Sequence, residues 1–327
     1  MPSNSSPRSA MSPAPLISAI IVNHDQSNAT LEQLQTHMRL EPDLFARVEW
    51  IVVSNGTTHP SPIPGVTIFI TPNAGYGAAI NGVASSAQGE TLLAMNADIL
   101  PEPGFLKEAW DAANALVQSR STHSPIGLVG FRLLDADGSR QGSAGRFPTL
   151  GRFLLGLGRS RRSRKYSPTH DDKQTEVDWV TGACVLIDRP CFESLAGFDE
   201  SFFLYYEDVD LCWRAHRKGF RVQVNPRAKC RHLFPYHARR LTLRMVYVAR
   251  RALLLYFQKH RPKWESSVVA RIARLESWAR AKQHPDWKRV GQMIDRLESP
   301  SEQAAIDLTD WLAIDDTHDE RGTRGQT

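Results

Sequence analysis

The sequence predicts an α/β fold with a mostly parallel, Rossmann-like central sheet, flanked by helices and followed by a helical extension. Three observations carry this. LISAIIV (16–22), VEWIVVS (48–54), VTIFI (66–70), TLLAMN (91–96) and IGLVGFRLL (126–134) are nearly unbroken apolar runs, the pattern of strands buried on both faces. Stretches of mixed polarity long enough for helices separate several of them, at 27–40, 77–88 and 103–118. A chain of 327 residues, 41% of them hydrophobic, can bury the core such a sheet needs.

In chain order, residues 1–15 are rich in Ser and Pro and aperiodic, so a disordered leader is expected. Residues 16–240 hold the sheet-forming segments and read as one catalytic domain. Within it, 148–166 changes character: an apolar knot, FLLGLG, runs into five basic residues between Arg159 and Lys165, the pattern of a mobile loop. Strands are expected at 177–188 and 220–226, with a helix from about 207 to Gly219 between them. Acids in its first turn and Arg217 and Lys218 in its last complement the helix dipole, and Asp210 can pair with Arg214 at i+4. Residues 241–300 are assigned as a helical extension: a basic amphipathic helix over 239–260 stopped near Pro262, then another at 265–283. The segment 301–327 is an acidic, then polar tail, its last ten residues disordered.

A net charge of +5 favours phosphate-bearing partners. The four cysteines form no C-x-x-C pair and read as reduced core residues of a cytosolic protein. No run approaches about 18 apolar residues and the N-terminus has no signal-peptide core, so a cytoplasmic protein, soluble or peripheral on the inner face of the plasma membrane, is expected. Arg159–Lys165 and the 239–260 helix are the candidates for contact with anionic lipid headgroups; a solvated loop and an ordinary packing helix explain the same residues.

Four constellations carry chemistry. NAGYGAAINGVA (73–84) places Gly75 and Gly77 where a strand gives way to a helix, allowing close approach of backbone N–H groups to a phosphate; a Gly-containing turn that merely caps a helix fits the spacing equally. LLAMNADIL (92–100) projects Asp98 beyond the carboxyl end of a strand, where open sheets bind ligands and where one carboxylate suffices for Mg²⁺; capping is the structural alternative. FFLYYEDVDLCWR (202–214) sets Glu207 and Asp208 behind aromatic surface, suiting a carboxylate to proton abstraction. RHLFPYH (231–237) supplies His232 and His237 soon after an expected strand; His232, taken with Asp98, is the metal-ligand candidate, and a structural histidine is the alternative.

Taken in order, IIVNHD (20–25), IVVSNGTT (51–58), NAGYGAAINGV (73–83), LLAMNADILPEPGFL (92–106), RLLDADGS (132–139), RFPTL (146–150), the stretch 177–222 and RHLFPYH resemble family 2 glycosyltransferases, and the bacterial rhamnosyltransferase subgroup in particular. The resemblance covers roughly 16–240. It implies a GT-A fold and inverting, Mg²⁺- or Mn²⁺-assisted transfer from a nucleoside-diphosphate sugar of dTDP or UDP type, dTDP-rhamnose among them. The acceptor it implies is a cell-envelope glycan or a polyprenyl-diphosphate-linked sugar; no nucleic-acid partner is expected. Carried over by residue, it implies Asp208 as the acceptor base with Glu207 beside it. Asn23, Ser54, Asn73, Gly75, Tyr76, Gly77, Asn81, Asn96, Thr181 and Gly182 are implied around the nucleotide-sugar, with Asp98 and His232 at the metal. Ser54 stands where the family usually has the aspartate that helps hold the pyrimidine, Asn23-His24-Asp25 where it commonly has Thr-Tyr-Asn, and Asn96 where a D-x-D motif begins. Two other readings differ in class. A nucleotidyltransferase would want a Gly-rich basic loop after the first strand, where this chain has NHDQSN; a nucleotide-sugar-binding or scaffold protein without turnover is compatible with Ser54 and Asn96.

Overall fold

A computed structural model describes residues 16–157, 166, 173–233, 242–282 and 284–298. Alternation along the first strand sets the layering: Ile17, Ala19 and Ile21 of β1 (Ile17–Asn23) enter one core, Ile20 and Val22 the other, so the strand is buried on both faces. The elements that follow are α1 (Ser27–Leu40), α2 (Pro42–Phe45), β2 (Glu49–Ser54), β3 (Val66–Ile70), α3 (Tyr76–Ala84), β4 (Thr91–Asn96), β5 (Ile99–Pro101), α4 (Phe105–Ser119) and β6 (Ile126–Leu134). Then come β7 (Ala144–Gly145), α5 (Leu150–Gly156), β8 (Thr175–Glu176), β9 (Trp179–Val180), β10 (Cys184–Asp188), α6 (Arg189–Ser194), α7 (Glu207–Arg217), β11 (Arg221–His232), α8 (Leu243–His260), α9 (Lys263–Ala281) and α10 (Trp287–Glu298).

The sheet runs β3-β2-β1-β4-β10-β6-β11-β5, with β8 on β11. The pairs β3/β2, β2/β1, β1/β4 and β6/β11 are parallel; β10, between β4 and β6, is antiparallel to both. Helices α1 and α4 cover one face through Leu34, Leu106, Ala109 and Leu116. Helices α3, α7, α8, α9 and α10 cover the other through Ile80, Val209, Tyr256, Phe257, Val269 and Ile294. The chain leaves β1 toward β2 and β3 and returns to β4 on β1's other side, so their carboxyl ends flank a topological switch point.

The structure departs from the sequence reading in several places. Leu150–Gly156, expected to be mobile, is a helix: the Thr149 hydroxyl caps it by accepting from Arg152 N–H (3.3 Å), and Leu150 N–H donates to Glu265 (3.1 Å). The basic run Arg159–Lys165 lies outside the described residues, as do His237, the leader and the tail. The strand expected over 177–188 is interrupted at 181–183, because Thr181 N–H is taken by Ser143 O (2.9 Å) and Gly182 N–H by Asp208 (3.0 Å). The strand expected at 220–226 continues to His232, crossing an irregularity between Asn225 and Lys229. Helix α10 has no counterpart in the sequence reading. The described part of the 239–260 helix is a packing helix, not a surface element: between Leu243 and His260 only Lys259 is exposed.

One buried group bears on stability. His37 of α1 stacks against Trp50 (4.9 Å) and Phe105 (5.6 Å), neither ring nitrogen has a partner, and burial pushes its pKa down to about 3. The unfolded chain therefore takes up a proton near the ordinary value of about 6.5 that the folded chain refuses until about pH 3. Stability from this group is present above about pH 6.5 and is lost as pH falls through that window. The loss accumulates to roughly 5 kcal/mol at the acid end. His37→Phe is expected to be as stable as the wild type or more so at pH 7.5, with the gap widening as urea midpoints are followed down to pH 4.5. Parallel acid limbs in the two proteins would contradict this.

Candidate active site

At the floor of the switch point, β4 ends at Asn96, whose N–H donates to Ala183 O (2.9 Å). Two residues on, β5 pairs with the end of β11, setting Ile99 opposite His232. This register brings Asp98 and His232 together, both buried, with Asp98 Oδ1 3.5 Å from His232 Nε2 and Asn96 Nδ2 3.4 Å from the same nitrogen. His232 Nδ1 lies 3.0 Å from Gln141 Nε2, while Gln141 Oε1 is buried without a partner. Rotating that amide by 180° lets Oε1 accept from Nδ1–H, which satisfies the orphaned oxygen and turns the Nε2 lone pair toward Asp98, the tautomer a metal ligand needs.

One carboxylate and one oriented imidazole fit a divalent cation that keeps its other positions for phosphate oxygens and water. Among the described residues no group of three or more His, Cys, Asp or Glu side chains is arranged to hold a metal by itself. Gln141 was not singled out from the sequence, where it follows the Asp135–Ser139 turn with no distinguishing spacing.

The acid pair is delivered by strained backbone. Tyr205 (φ +68°) and Tyr206 (φ +66°) are consecutive left-handed residues immediately before α7, a conformation unfavourable for bulky side chains and concentrated at functional sites. Glu207 and Asp208 open the helix, both buried. Asp208 is fixed by two backbone donors: Oδ2 accepts from Gly182 N–H (3.0 Å) and Oδ1 from Val209 N–H (2.8 Å). Asp210 has a structural part. It accepts from Arg214 Nε (2.8 Å), as its i+4 spacing predicts, and from His260 Nε2 (2.7 Å), tying α7 to α8. His260 is a partner that spacing could not show, 50 residues away.

Tyr76 joins the two clusters. Its hydroxyl donates to Gly182 O (2.6 Å), the other side of the peptide unit region that holds Asp208. Burial pushes the phenol pKa well above its ordinary value, and the charges of Glu207, Cys184, Asp208 and Asp98 add to the shift. The links run Asp208 to Gly182, and Ala183 to Asn96 and on to Asp98, across three consecutive residues of the 181–183 turn. Thr181, at its start, keeps its hydroxyl near Ala183 N–H (3.4 Å).

On the opposite flank, β1 and β2 end in a polar knot. Asn23 Nδ2 donates to Ser54 Oγ (2.9 Å), Asn23 Oδ1 accepts from Gln26 N–H and the Thr30 hydroxyl (both 3.1 Å), and Ser54 Oγ lies 2.8 Å from His59 Nδ1. His59 was not anticipated, and it places an imidazole beside the serine that departs from the resembled pattern. Asp25 organises the loop after β2: one oxygen accepts from Thr57 N–H (2.6 Å) and Thr58 N–H (2.7 Å), and these bonds, the Thr58 amide foremost, hold its carboxyl down at about 2.

In the Gly-containing turn, Asn73 Oδ1 accepts from Gly75 N–H (3.2 Å). Asn81 is occupied structurally: its amide brackets the backbone of Phe198 (2.9 Å each way) and reaches Glu200 (3.0 Å). Gly77 packs on Phe198, with a Cβ there falling 2.6 Å from that side chain. Gly75 is the more constrained: φ is +108°, and an added Cβ would sit 2.3 Å from Phe203 O, the carbonyl that receives Tyr76 N–H (3.0 Å). Gly75→Ala is therefore expected to cost about 2 kcal/mol or more, combining backbone strain and a clash. It should also displace the segment leading into Glu207. A urea midpoint unchanged from wild type would contradict this.

The profile of the family described as "Glycosyltransferase like family 2" matches residues 15–252. Among curated relatives, an N-acetylglucosaminyl-diphospho-decaprenol L-rhamnosyltransferase of Mycobacterium tuberculosis is 29% identical over 210 residues, 57% of this chain and 66% of the relative. The O-antigen biosynthesis protein RfbC of Myxococcus xanthus is 29% identical over 203 residues, 58% of this chain and 15% of that protein. The chain thus spans just under two thirds of the former's length and a small part of the latter's. Among solved structures, GalNAc-T7 with UDP, GalNAc and Mn²⁺ superposes with a TM-score of 0.50 at 12% identity, over 75% of this chain and 48% of that one, a likeness of fold.

Proposed function

The chain belongs to glycosyltransferase-like family 2 and is a glycosyltransferase, and from that premise we propose that it transfers a sugar with inversion from a nucleoside-diphosphate donor. The observation that carries the proposal is the convergence of Tyr76 and Asp208 on Gly182, with the 181–183 turn linking Asp208 to Asn96, two residues before Asp98. Asp208 accepts the proton of the acceptor hydroxyl as that hydroxyl attacks the anomeric carbon, and Glu207 lies beside it. The two N–H groups on Asp208 hold its carboxylate in one orientation, so the proton acceptor is positioned in advance.

Asp98 and His232 are the residues to hold Mg²⁺ or Mn²⁺, with Gln141 fixing the imidazole. A cation bound there would supply positive charge against a departing diphosphate. Asn23, Ser54 and Asn73, at or just beyond the carboxyl ends of β1–β3, are proposed to meet the nucleoside, and Gly75, Tyr76, Gly77, Asn96, Thr181 and Gly182 the rest of the nucleotide-sugar. Ser54 carries no charge to offer the base, and exposed His59, held against it, is the hydrogen-bonding group proposed there.

The name of the mycobacterial relative supports rhamnose as the sugar and a polyprenyl-diphosphate-linked sugar as the acceptor; dTDP-rhamnose is the donor proposed, and a cell-envelope glycan the product. No helix among the described residues is long and apolar enough to cross a membrane; the proposed setting is the cytoplasm, at the inner face of the plasma membrane. The test is nucleotide release from dTDP-, UDP- and GDP-sugars with Mg²⁺ or Mn²⁺ and a polyprenyl-diphosphate-GlcNAc acceptor. Acceptor-stimulated release of dTDP is expected. Donor binding without release from any sugar would instead favour a binding protein without turnover.

A further inference from the structure

Helix α9 has two faces, and only one is used by the fold. Val269, Ala270, Ala273 and Ser277 are buried against α8 and α10. On the outer side, Trp264 (62% exposed), Leu275 (66%) and Trp278 (64%) recur with Arg271 and Lys282 at i, i+7, i+11, i+14 and i+18, which is one stripe along an α-helix. The ammonium of Lys282 lies 4.2 Å from the Trp278 ring centroid. Both carboxylates of the helix turn away from this stripe: Glu265 is held by Arg261 (2.8 Å) and Glu276 by Arg250 (2.7 Å). The exposed side is left with indole, leucine and cationic groups, flanked by Lys263.

A second exposed apolar patch lies on α5. Helix α5 is tied to the start of α9 by Leu150 N–H donating to Glu265, and it exposes Leu154 and Leu155, the latter 70% exposed, with Leu157 following. The same stretch of chain begins at Ser143, whose carbonyl holds Thr181 at the proposed active site.

Two tryptophans, aliphatic side chains and unopposed cations on one rigid face match the chemistry of an anionic bilayer surface. Indole favours the headgroup boundary, leucine the acyl region, and arginine and lysine the lipid phosphates. We propose that the α9 stripe is a docking face for an anionic lipid membrane. This deepens the functional reading above, since a polyprenyl-linked acceptor presents its sugar at such a surface. The face differs from the basic helix expected from the sequence, which the structure buries as α8.

The test is flotation of the full chain with vesicles of phosphatidylglycerol and phosphatidylcholine, or of phosphatidylcholine alone. The wild type is expected to float with anionic vesicles and far less with neutral ones. Trp264→Ala/Trp278→Ala should lower the partition coefficient at least about tenfold, and Arg271→Glu/Lys282→Glu should act in the same direction. All four side chains are exposed, so melting temperatures serve as the check that each variant folds. Nucleotide-sugar turnover with a water-soluble acceptor should be unchanged in either variant, which separates failure of docking from failure of the glycosyltransferase reading. Equal flotation of wild type and both variants would overturn the proposal. So would absence of vesicle binding together with a concentration-dependent dimer abolished by the tryptophan substitutions, which would make the face a contact between copies of the chain.

Discussion

Asp208→Asn is expected to lower sugar transfer by about 10²–10⁴-fold, the range associated with loss of a general base, while nucleotide binding persists. The size of the effect follows from where Asp208 is held. Both its oxygens accept from backbone N–H groups, Gly182 on one side and Val209 on the other, so its orientation is set before any acceptor arrives. Asparagine keeps one of these acceptors and forfeits the other, at a cost of about 1–3 kcal/mol in folding stability. That cost moves the melting temperature, not the chemistry, so thermal unfolding and nucleotide affinity separate the structural loss from the catalytic one. If transfer in Asp208→Asn matches wild type with a common acceptor, the base lies elsewhere, and Glu207, the next residue in the first turn of α7, becomes the candidate. Asp210 is not an alternative, because Arg214 and His260 occupy its two oxygens.

Asp98→Asn is expected to remove most of the gain in nucleotide affinity conferred by Mn²⁺, by on the order of 10–100-fold, with affinity in EDTA unchanged. Asparagine preserves volume at a site 1% exposed, which limits the cavity cost that alanine would add. Gln141→Leu provides the graded companion: it keeps Asp98 and His232 but removes the group that sets the His232 ring, so metal affinity should fall by about tenfold. Titration of a nucleoside diphosphate with and without Mn²⁺ reads both variants. An unaltered metal-dependent gain in Asp98→Asn would remove Asp98 from the metal site.

Much of the fold was legible because buried parallel strands are apolar on both faces and cannot be mistaken for solvated segments. The strands from LISAIIV to IGLVGFRLL all appear, within a residue or two of the expected bounds for most of them. What was not legible required partners distant in sequence. The 177–188 segment looks like one strand until Ser143 and Asp208 compete for its N–H groups. FLLGLG looks like a loose apolar knot until Thr149 caps it and Glu265 receives Leu150.

At the proposed site, a strand end points to Asp98, and an acidic pair behind aromatic residues points to Glu207 and Asp208. Gln141 and His59 carry no such signal; each matters through a single side-chain contact that only the tertiary structure makes. The basic residues of the 239–260 segment left a lipid-facing surface and a packing helix equally open; the burial of Tyr256 and Phe257, which marks its described part as a packing helix, is not visible in the sequence.

The most direct measurement is a structure of the chain with an intact nucleoside-diphosphate sugar and Mn²⁺. The account predicts the diphosphate against Asp98 and His232, and the anomeric carbon facing the Asp208 carboxylate from the side opposite the diphosphate. A donor bound away from Asp98, or oriented with its diphosphate and Asp208 on the same side of the sugar, would contradict it.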